Sequence, residues 1–107
     1  MEILLHVLTP EEHARWQALP SWQPTSLAAQ GFVHLCTKEQ LAGVRERFYR
    51  DAPVVVLVLD AEKLDVAPRW EDTLGHGVFP HLYAGIPRSA VAAAVPLAAG
   101  APLPGAW

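Results

Sequence analysis

Five histidines stand in a chain of 107 residues, and three of them fall in or beside apolar runs. His6 interrupts Ile3-Leu4-Leu5-His6-Val7-Leu8. His34 lies between Phe32 and Cys36 at alternate positions of Gly31-Phe32-Val33-His34-Leu35-Cys36, and His81 stands two residues before Tyr83. A buried imidazole is costly unless it is hydrogen-bonded, so each placement needs a partner. For one such residue that partner is most often a core carbonyl. Three together also suit a cleft lined by histidine, with His6, His34 and His81 opening onto one cavity beside Tyr83.

Several chemistries are open to these residues. His34-x-Cys36 puts two metal-ligand types on one strand face, with His76 or His81 to complete a set. No His-x-x-x-His or Cys-x-x-Cys accompanies them, and no metal is expected. Cys36 with His34, His6 or His81 has the residue types of a nucleophile and its base. A cysteine beside Phe32 and leucines is more often inert, so a partly buried, unreactive thiol that serine can replace is the expectation.

Glu71 follows Arg69-Trp70 and is either a positioned acid beside an aromatic ring or a solvated loop carboxylate. Asp60 suits the cap of a turn at residues 61–64. Arg45, Arg47 and Arg50, interleaved with Glu46 and Asp51, read as local pairs on a solvated helix face. Among the tryptophans, Trp16 reads as a core anchor and Trp22 as the better pocket candidate, with Trp70 a further possibility for a flat ligand.

The elements that must position these groups are legible in part. Residues 3–8 read as a strand apolar on both faces. Thr9-Pro10-Glu11-Glu12 opens a helix through a capping box with proline at its first position. That helix should reach Leu19, bury Trp16 and Leu19, and stop at Pro20. Residues 21–30 read as a loop and 31–36 as a strand with Phe32, His34 and Cys36 on one face. Thr37-Lys38-Glu39-Gln40 predicts a second capped helix to about Arg50, burying Leu41, Val44 and Phe48. Residues 54–59, ending at Asp60, form the clearest buried strand, followed by a turn at 61–64. Residues 66–70 suit an edge strand because Pro68 cannot donate to a ladder. Further strands are expected at 81–84 and 91–95. The order of elements reads as α+β, a single domain over residues 1–97. Two helices pack on a mixed, mostly antiparallel sheet of five or six strands. An alanine-, glycine- and proline-rich tail over 98–107 is ordered only where Trp107 finds a groove.

Composition narrows the function. The net charge is -3, with eight basic and eleven acidic residues and no basic run. Nucleic acid is therefore an unfavourable partner. The longest apolar stretches, residues 53–59 and 90–99, fall well short of the ~20 residues that span a bilayer. No signal-like start precedes them, and a lone cysteine suits a reducing compartment. A cytoplasmic protein acting on a small molecule is the expectation.

Leu5-His6 with Trp16, Gly31-Phe32-Val33-His34-Leu35-Cys36-Thr37-x-x-Gln40, Trp70-Glu71 and Phe79-Pro80-His81-Leu82-Tyr83 resemble a small bacterial family of unknown function, number 952. The likeness runs over about positions 3 to 95 in residue type and spacing. Cys36 stands where that family usually has serine, and Ala84 where it often has glycine. The resemblance implies a fold similar to the ADP-ribosyltransferase superfamily, including RNA 2′-phosphotransferases. It would have a split sheet and a cleft for NAD, ADP-ribose or a related nucleotide.

By that resemblance His6 holds a ribose hydroxyl, and Phe32, His34 and Tyr83 help bind the cofactor. Glu71, His81 and His34 are the candidate catalytic residues. Only Glu71 carries the charge that would steady an oxocarbenium-like state. A metal-dependent or acid–base enzyme on another small molecule, and a binding module without catalysis, are the alternatives.

Overall fold

The computed structural model describes residues 2–17, 21–22, 29–72, 75 and 77–101. The expectations placed on Leu19, Pro20, the Trp22 side chain, His76 and Trp107 lie outside the described residues. Strand β1 (Ile3–Leu8) leads into helix α1 (Pro10–Trp16). Thr9 and Glu12 close the capping box there, the Thr9 hydroxyl taking the Glu12 N–H and Glu12 taking the Thr9 N–H. Short strands β2 (Ser21–Trp22) and β3 (Val33–His34) precede helix α2 (Leu41–Phe48). Next come β4 (Val54–Asp60), a 3-10 turn (Ala61–Lys63), β5 (Arg69–Glu71), β6 (Phe79–Leu82), β7 (Ile86–Pro87) and β8 (Val91–Leu97).

These strands form antiparallel ladders in the orders β1-β4-β8, β2-β7 and β3-β6-β5. The architecture is α+β, with the two helices given above packed on mostly antiparallel sheets in one compact domain among the described residues. The described strands are more numerous than the five or six expected, and β2, β3, β5 and β7 are only two or three residues long. Residues 31–36 hold strand pairing only at Val33–His34 and at an isolated bridge between Cys36 and Leu5.

Strand β4 fixes the core because both its faces are buried. Val55, Leu57 and Leu59 meet Leu4, Leu8, Trp16, Val33, Leu35, Leu82 and Ile86 on one side. Val54, Val56 and Val58 meet Leu5, Val7, Cys36, Leu41 and Leu97 on the other. Trp16 thus brings α1 to the first cluster and Leu41 brings α2 to the second. Each fully buried leucine or valine contributes about 1.5–3 kcal/mol, so this two-sided strand carries much of the stability.

Other positions depart from the pattern. Phe48 is 58% exposed, leaving Leu41 as the buried anchor of α2. The Thr37–Gln40 box forms, each side chain bonded to the other's main-chain N–H, but it closes the turn ahead of α2. Residues 21–22 pair with β7 where a loop was expected. The edge strand is Arg69–Glu71, which leaves Pro68 outside the ladder where its missing N–H costs nothing. Asp60 caps its turn by accepting the Glu62 N–H at 3.1 Å.

Candidate functional site

The register of β3, β6 and β5 assembles the chemistry. His34 pairs with His81, and His81 with Arg69; Glu71 pairs with Phe79. Residues directly opposite share a face of an antiparallel sheet, and every second residue along a strand returns to it. His34, His81, Arg69 and Glu71 therefore lie on one face, while Val33 and Leu82 point into the first core cluster.

Ring contacts and hydrogen bonds tie this face together. Phe32 stacks on His81 with centroids 4.1 Å apart and an 18° angle between planes. Phe32 also contacts His34 edge-on at 4.9 Å and Tyr83 at 5.4 Å. The His34 and His81 rings are 5.6 Å apart in an edge-to-face arrangement. His81 Nδ1–H donates to Glu71 Oε1 at 3.0 Å, and the Tyr83 hydroxyl donates to the same oxygen at 2.6 Å. His34 Nε2–H donates to Gln30 Oε1 at 2.6 Å. The Arg69 guanidinium lies 4.7 Å from the Tyr83 ring centre.

Charge follows from these contacts. Glu71 is held below the usual carboxylate range by the hydrogen bonds from Tyr83 and His81, with Arg69 adding to the effect. It is therefore ionised at neutral pH. The same carboxylate raises the Tyr83 phenol, first by accepting its hydrogen bond and further because a phenolate beside it would be repelled. Partial burial, then the neighbouring His81, lowers His34 and favours its neutral ring. Among the described residues no group of three His, Cys, Asp or Glu side chains is placed to hold a metal ion.

His6 takes a different place. It shares the buried side of β1 with Leu4 and Leu8, opposite the face that carries His34 and His81. The expectation of three imidazoles on one surface therefore fails at His6. Its Nδ1–H donates to the His34 main-chain carbonyl at 2.9 Å. The cause lies in the Leu5–Cys36 bridge, which puts Leu5, Cys36 and His34 on one face and His6, one residue beyond Leu5, on the other. Leu5 and Cys36 exchange both backbone bonds at 2.8 Å, and no further bridge joins β1 to this segment among the described residues. Beyond that rung the His34 carbonyl takes the His6 ring and the Val7 carbonyl takes the Tyr49 hydroxyl. Two side chains thus satisfy main-chain acceptors where the ladder stops.

Cys36 is 2% exposed within the second core cluster, and burial raises its thiol to about 12. A thiol so protonated is no nucleophile at neutral pH. Nor do the arginines of α2 pair as expected. Arg45 donates to the Ala98 and Ala101 carbonyls, and Arg47 lies 5.9 Å from the Phe79 ring centre. Trp70 alternates away from Glu71 and is exposed.

Residues 7–94 match the model of the family described as protein of unknown function DUF952. The chain belongs to this family. Three solved structures of protein CC0527 from Caulobacter crescentus are similar to this chain in fold and sequence. The X-ray structure is 28% identical, with a TM-score of 0.79 over 90% of this chain and 86% of that one. A double mutant of the same protein gives 26% identity and the same TM-score and coverage. The solution NMR structure gives 28% identity and a TM-score of 0.75 over 89% of this chain and 84% of that one. A comparison with curated proteins finds no match.

In this DUF952 chain the sequence reading missed two contributors to the site. Gln30, four residues before His34, fixes the imidazole; nothing in its residue type marked it. Arg69 was legible in principle. Once the edge strand is set at 69–71, alternation puts Arg69 on the face of Glu71.

Proposed function

We propose that the face carrying His34, His81, Glu71, Phe32 and Tyr83 binds a small ribose-bearing ligand of the NAD or ADP-ribose class, in the cytoplasm. The observation that supports this reading best is the Glu71 carboxylate, fixed through one oxygen by both His81 and Tyr83. An ionised carboxylate already oriented is suited to positive charge developing on a ribose carbon, because little reorganisation is needed at the moment of reaction. The Phe32–His81 stack offers aromatic surface beside it. The fold that the resemblance to family 952 implies, one similar to ADP-ribosyltransferases, would suit the same ligand class, and fold likeness alone assigns no activity.

Cleavage would break the bond between the ribose anomeric carbon and nicotinamide, with the electron pair leaving on nicotinamide. Water would then form the new carbon–oxygen bond and release its proton to His81.

A second reading rests on the Glu71–His81 pair alone. A carboxylate holding Nδ1–H fixes the tautomer and aims the other ring nitrogen at a substrate proton, the arrangement of a general base on another small molecule. Calorimetric titration of the full chain with NAD and ADP-ribose tests the first reading. Saturable binding that weakens when Phe32 or His34 is replaced by alanine supports it. Absence of binding to either compound overturns it.

A further inference from the structure

We infer that Arg69 anchors an oxyanion of the ligand, a carboxylate or a phosphate, and thereby sets which part of that ligand meets His81 and Glu71. The inference rests on the small-molecule reading above and names how the site holds one end of its ligand.

The register of β5 with β6 places Arg69. It stands directly opposite His81, on the face that also carries His34 and Glu71. Directly opposite residues bring their Cβ atoms to about 4.5–5.5 Å, so the Arg69 stem starts beside the imidazole. The guanidinium lies 4.7 Å from the Tyr83 ring centre, which keeps it over the site. Such a contact uses no acceptor, and the N–H donors remain for a ligand.

Nothing within the described residues takes those donors. Arg45 donates to the Ala98 and Ala101 carbonyls and Arg88 to the Gln17 carbonyl, whereas Arg69 makes no hydrogen bond or ion pair with a described residue. Glu71 is the obvious partner, but its Oε1 already receives His81 Nδ1–H at 3.0 Å and the Tyr83 hydroxyl at 2.6 Å. Arg69 only adds to those hydrogen bonds in holding Glu71 below the usual carboxylate range. A guanidinium is planar and always charged, and its fork matches two oxygens of a carboxylate or phosphate.

Strand β5 thus presents a cation and an anion two residues apart, about 6.5 Å along the strand. Glu71 repels an oxyanion from its own end, so the ligand has one favourable orientation. With the oxyanion on Arg69, the atoms next to it lie against His81, and hydrogen donors further along face Glu71. Arg69 is therefore a positioning residue for whatever the Glu71–His81 pair acts on.

The test uses the full chain and two simple probes, acetate and inorganic phosphate, at constant ionic strength. His81 and Tyr83 resonances are followed by NMR in the wild type, Arg69→Gln, Arg69→Lys and Lys63→Gln. Arg69 is exposed on an edge strand, and melting temperatures check that its variants fold. Lys63 is an exposed cation on the turn after β4, a strand of another sheet, and controls for net charge. At least one anion should shift the wild-type resonances saturably, and either order of affinity supports the inference while telling carboxylate from phosphate. Arg69→Gln should weaken that response about tenfold, and Arg69→Lys should fall between because it keeps the charge and loses the fork. Lys63→Gln should match the wild type.

No response to either anion in the wild type overturns the inference. So does an equal response in Arg69→Gln, or equal weakening by Arg69→Gln and Lys63→Gln. Calorimetry with NAD and ADP-ribose separates this result from the nucleotide reading. An Arg69-dependent anion response without binding of either nucleotide removes that reading and keeps the inference. Nucleotide binding with no Arg69-dependent anion response does the reverse.

Discussion

His6 bonds to the main-chain carbonyl of His34, 2.9 Å from its Nδ1, from the core side of the sheet. This places it beneath the site, holding the short strand that presents His34. Replacing His6 by leucine keeps apolar volume but leaves the His34 carbonyl without that donor. Loss of a buried partner costs about 1–3 kcal/mol, and His6→Leu should show a destabilisation of that order in urea unfolding. His6→Asn retains an N–H near the position of Nδ1 and should recover part of it. Equal destabilisation by both variants would show that the bond to His34 is not what His6 contributes.

Acid should weaken the fold first through the histidines. Burial lowers both His6 and His34 from the ordinary value of 6.5. The unfolded chain therefore takes up protons at a higher pH than the native one. The stability these neutral rings contribute is complete above about 6.5 and is lost as pH falls below it toward the lowered native values. Glu71 behaves oppositely in position. Its carboxyl is depressed, so its contribution persists until pH falls below the ordinary 4.5. Urea midpoints should thus decline as pH falls below about 6.5, and the decline should be shallower in His6→Asn.

The buried Cys36 thiol should resist reagents. With its titration pushed up to about 12 and its sulfur enclosed in the second core cluster, alkylation by iodoacetamide at neutral pH should follow unfolding. Rates in increasing urea should track the unfolded fraction. Cys36→Ser is less benign than the residue type alone suggests. A hydroxyl placed in this apolar cluster costs about 1–3 kcal/mol unless it finds an acceptor. Rapid native alkylation would show an accessible thiolate.

The contrast between Cys36 and His6 indicates what the residue pattern could carry. Alternation along 31–36 correctly separates Val33 and Leu35 from Phe32, His34 and Cys36, because period-two geometry is local. The same rule puts His6 with Leu4 and Leu8. Which face of β1 matches which face of β3 depends on the Leu5–Cys36 bridge, a pairing across 31 positions that no local pattern encodes. Glu71, His81 and Tyr83 were legible as residue types, and Tyr83 follows His81 at strand spacing. That Glu71 joins them depends on the register of β5 with β6. Phe48 fails for the complementary reason: its helical spacing from Leu41 and Val44 is sound, but its side chain is left exposed while the next residue, Tyr49, packs against the second core cluster.

Tyr83 offers a direct reading of its partner. The Glu71 carboxylate raises the phenol by accepting its hydrogen bond and repelling its ionised form. In Glu71→Gln the charge is gone, and the Tyr83 titration should fall toward the ordinary value of 10 in an ultraviolet difference titration. Tyr83→Phe in turn removes the largest influence depressing Glu71, whose titration by NMR should move up. Because both groups lie at the surface, neither substitution should change the melting temperature much. An unmoved Tyr83 in Glu71→Gln would show that the two groups do not meet in solution.

Glu71 and His81 separate a catalyst from a binder. If the site cleaves a glycosidic bond, the Glu71 charge stabilises the transition state more than bound ligand. Glu71→Gln keeps the shape and an acceptor oxygen for Tyr83 and His81, so NAD consumption should vanish while affinity falls little. His81→Asn should weaken both, because it removes the imidazole stacked on Phe32 as well as the group that takes a proton. It also disturbs a side chain that is 3% exposed, and the buried polar loss is about 1–3 kcal/mol, so its folded fraction is measured alongside. Three measurements on wild type and both variants decide the case: binding by calorimetry, NAD consumption by chromatography, and melting temperature. Consumption by the wild type that survives in Glu71→Gln would remove the carboxylate from the mechanism and favour the general-base reading of His81. Binding without consumption in the wild type would leave a ligand-binding protein, with Glu71 fixing the orientation of His81 and Tyr83 and taking no part in bond cleavage.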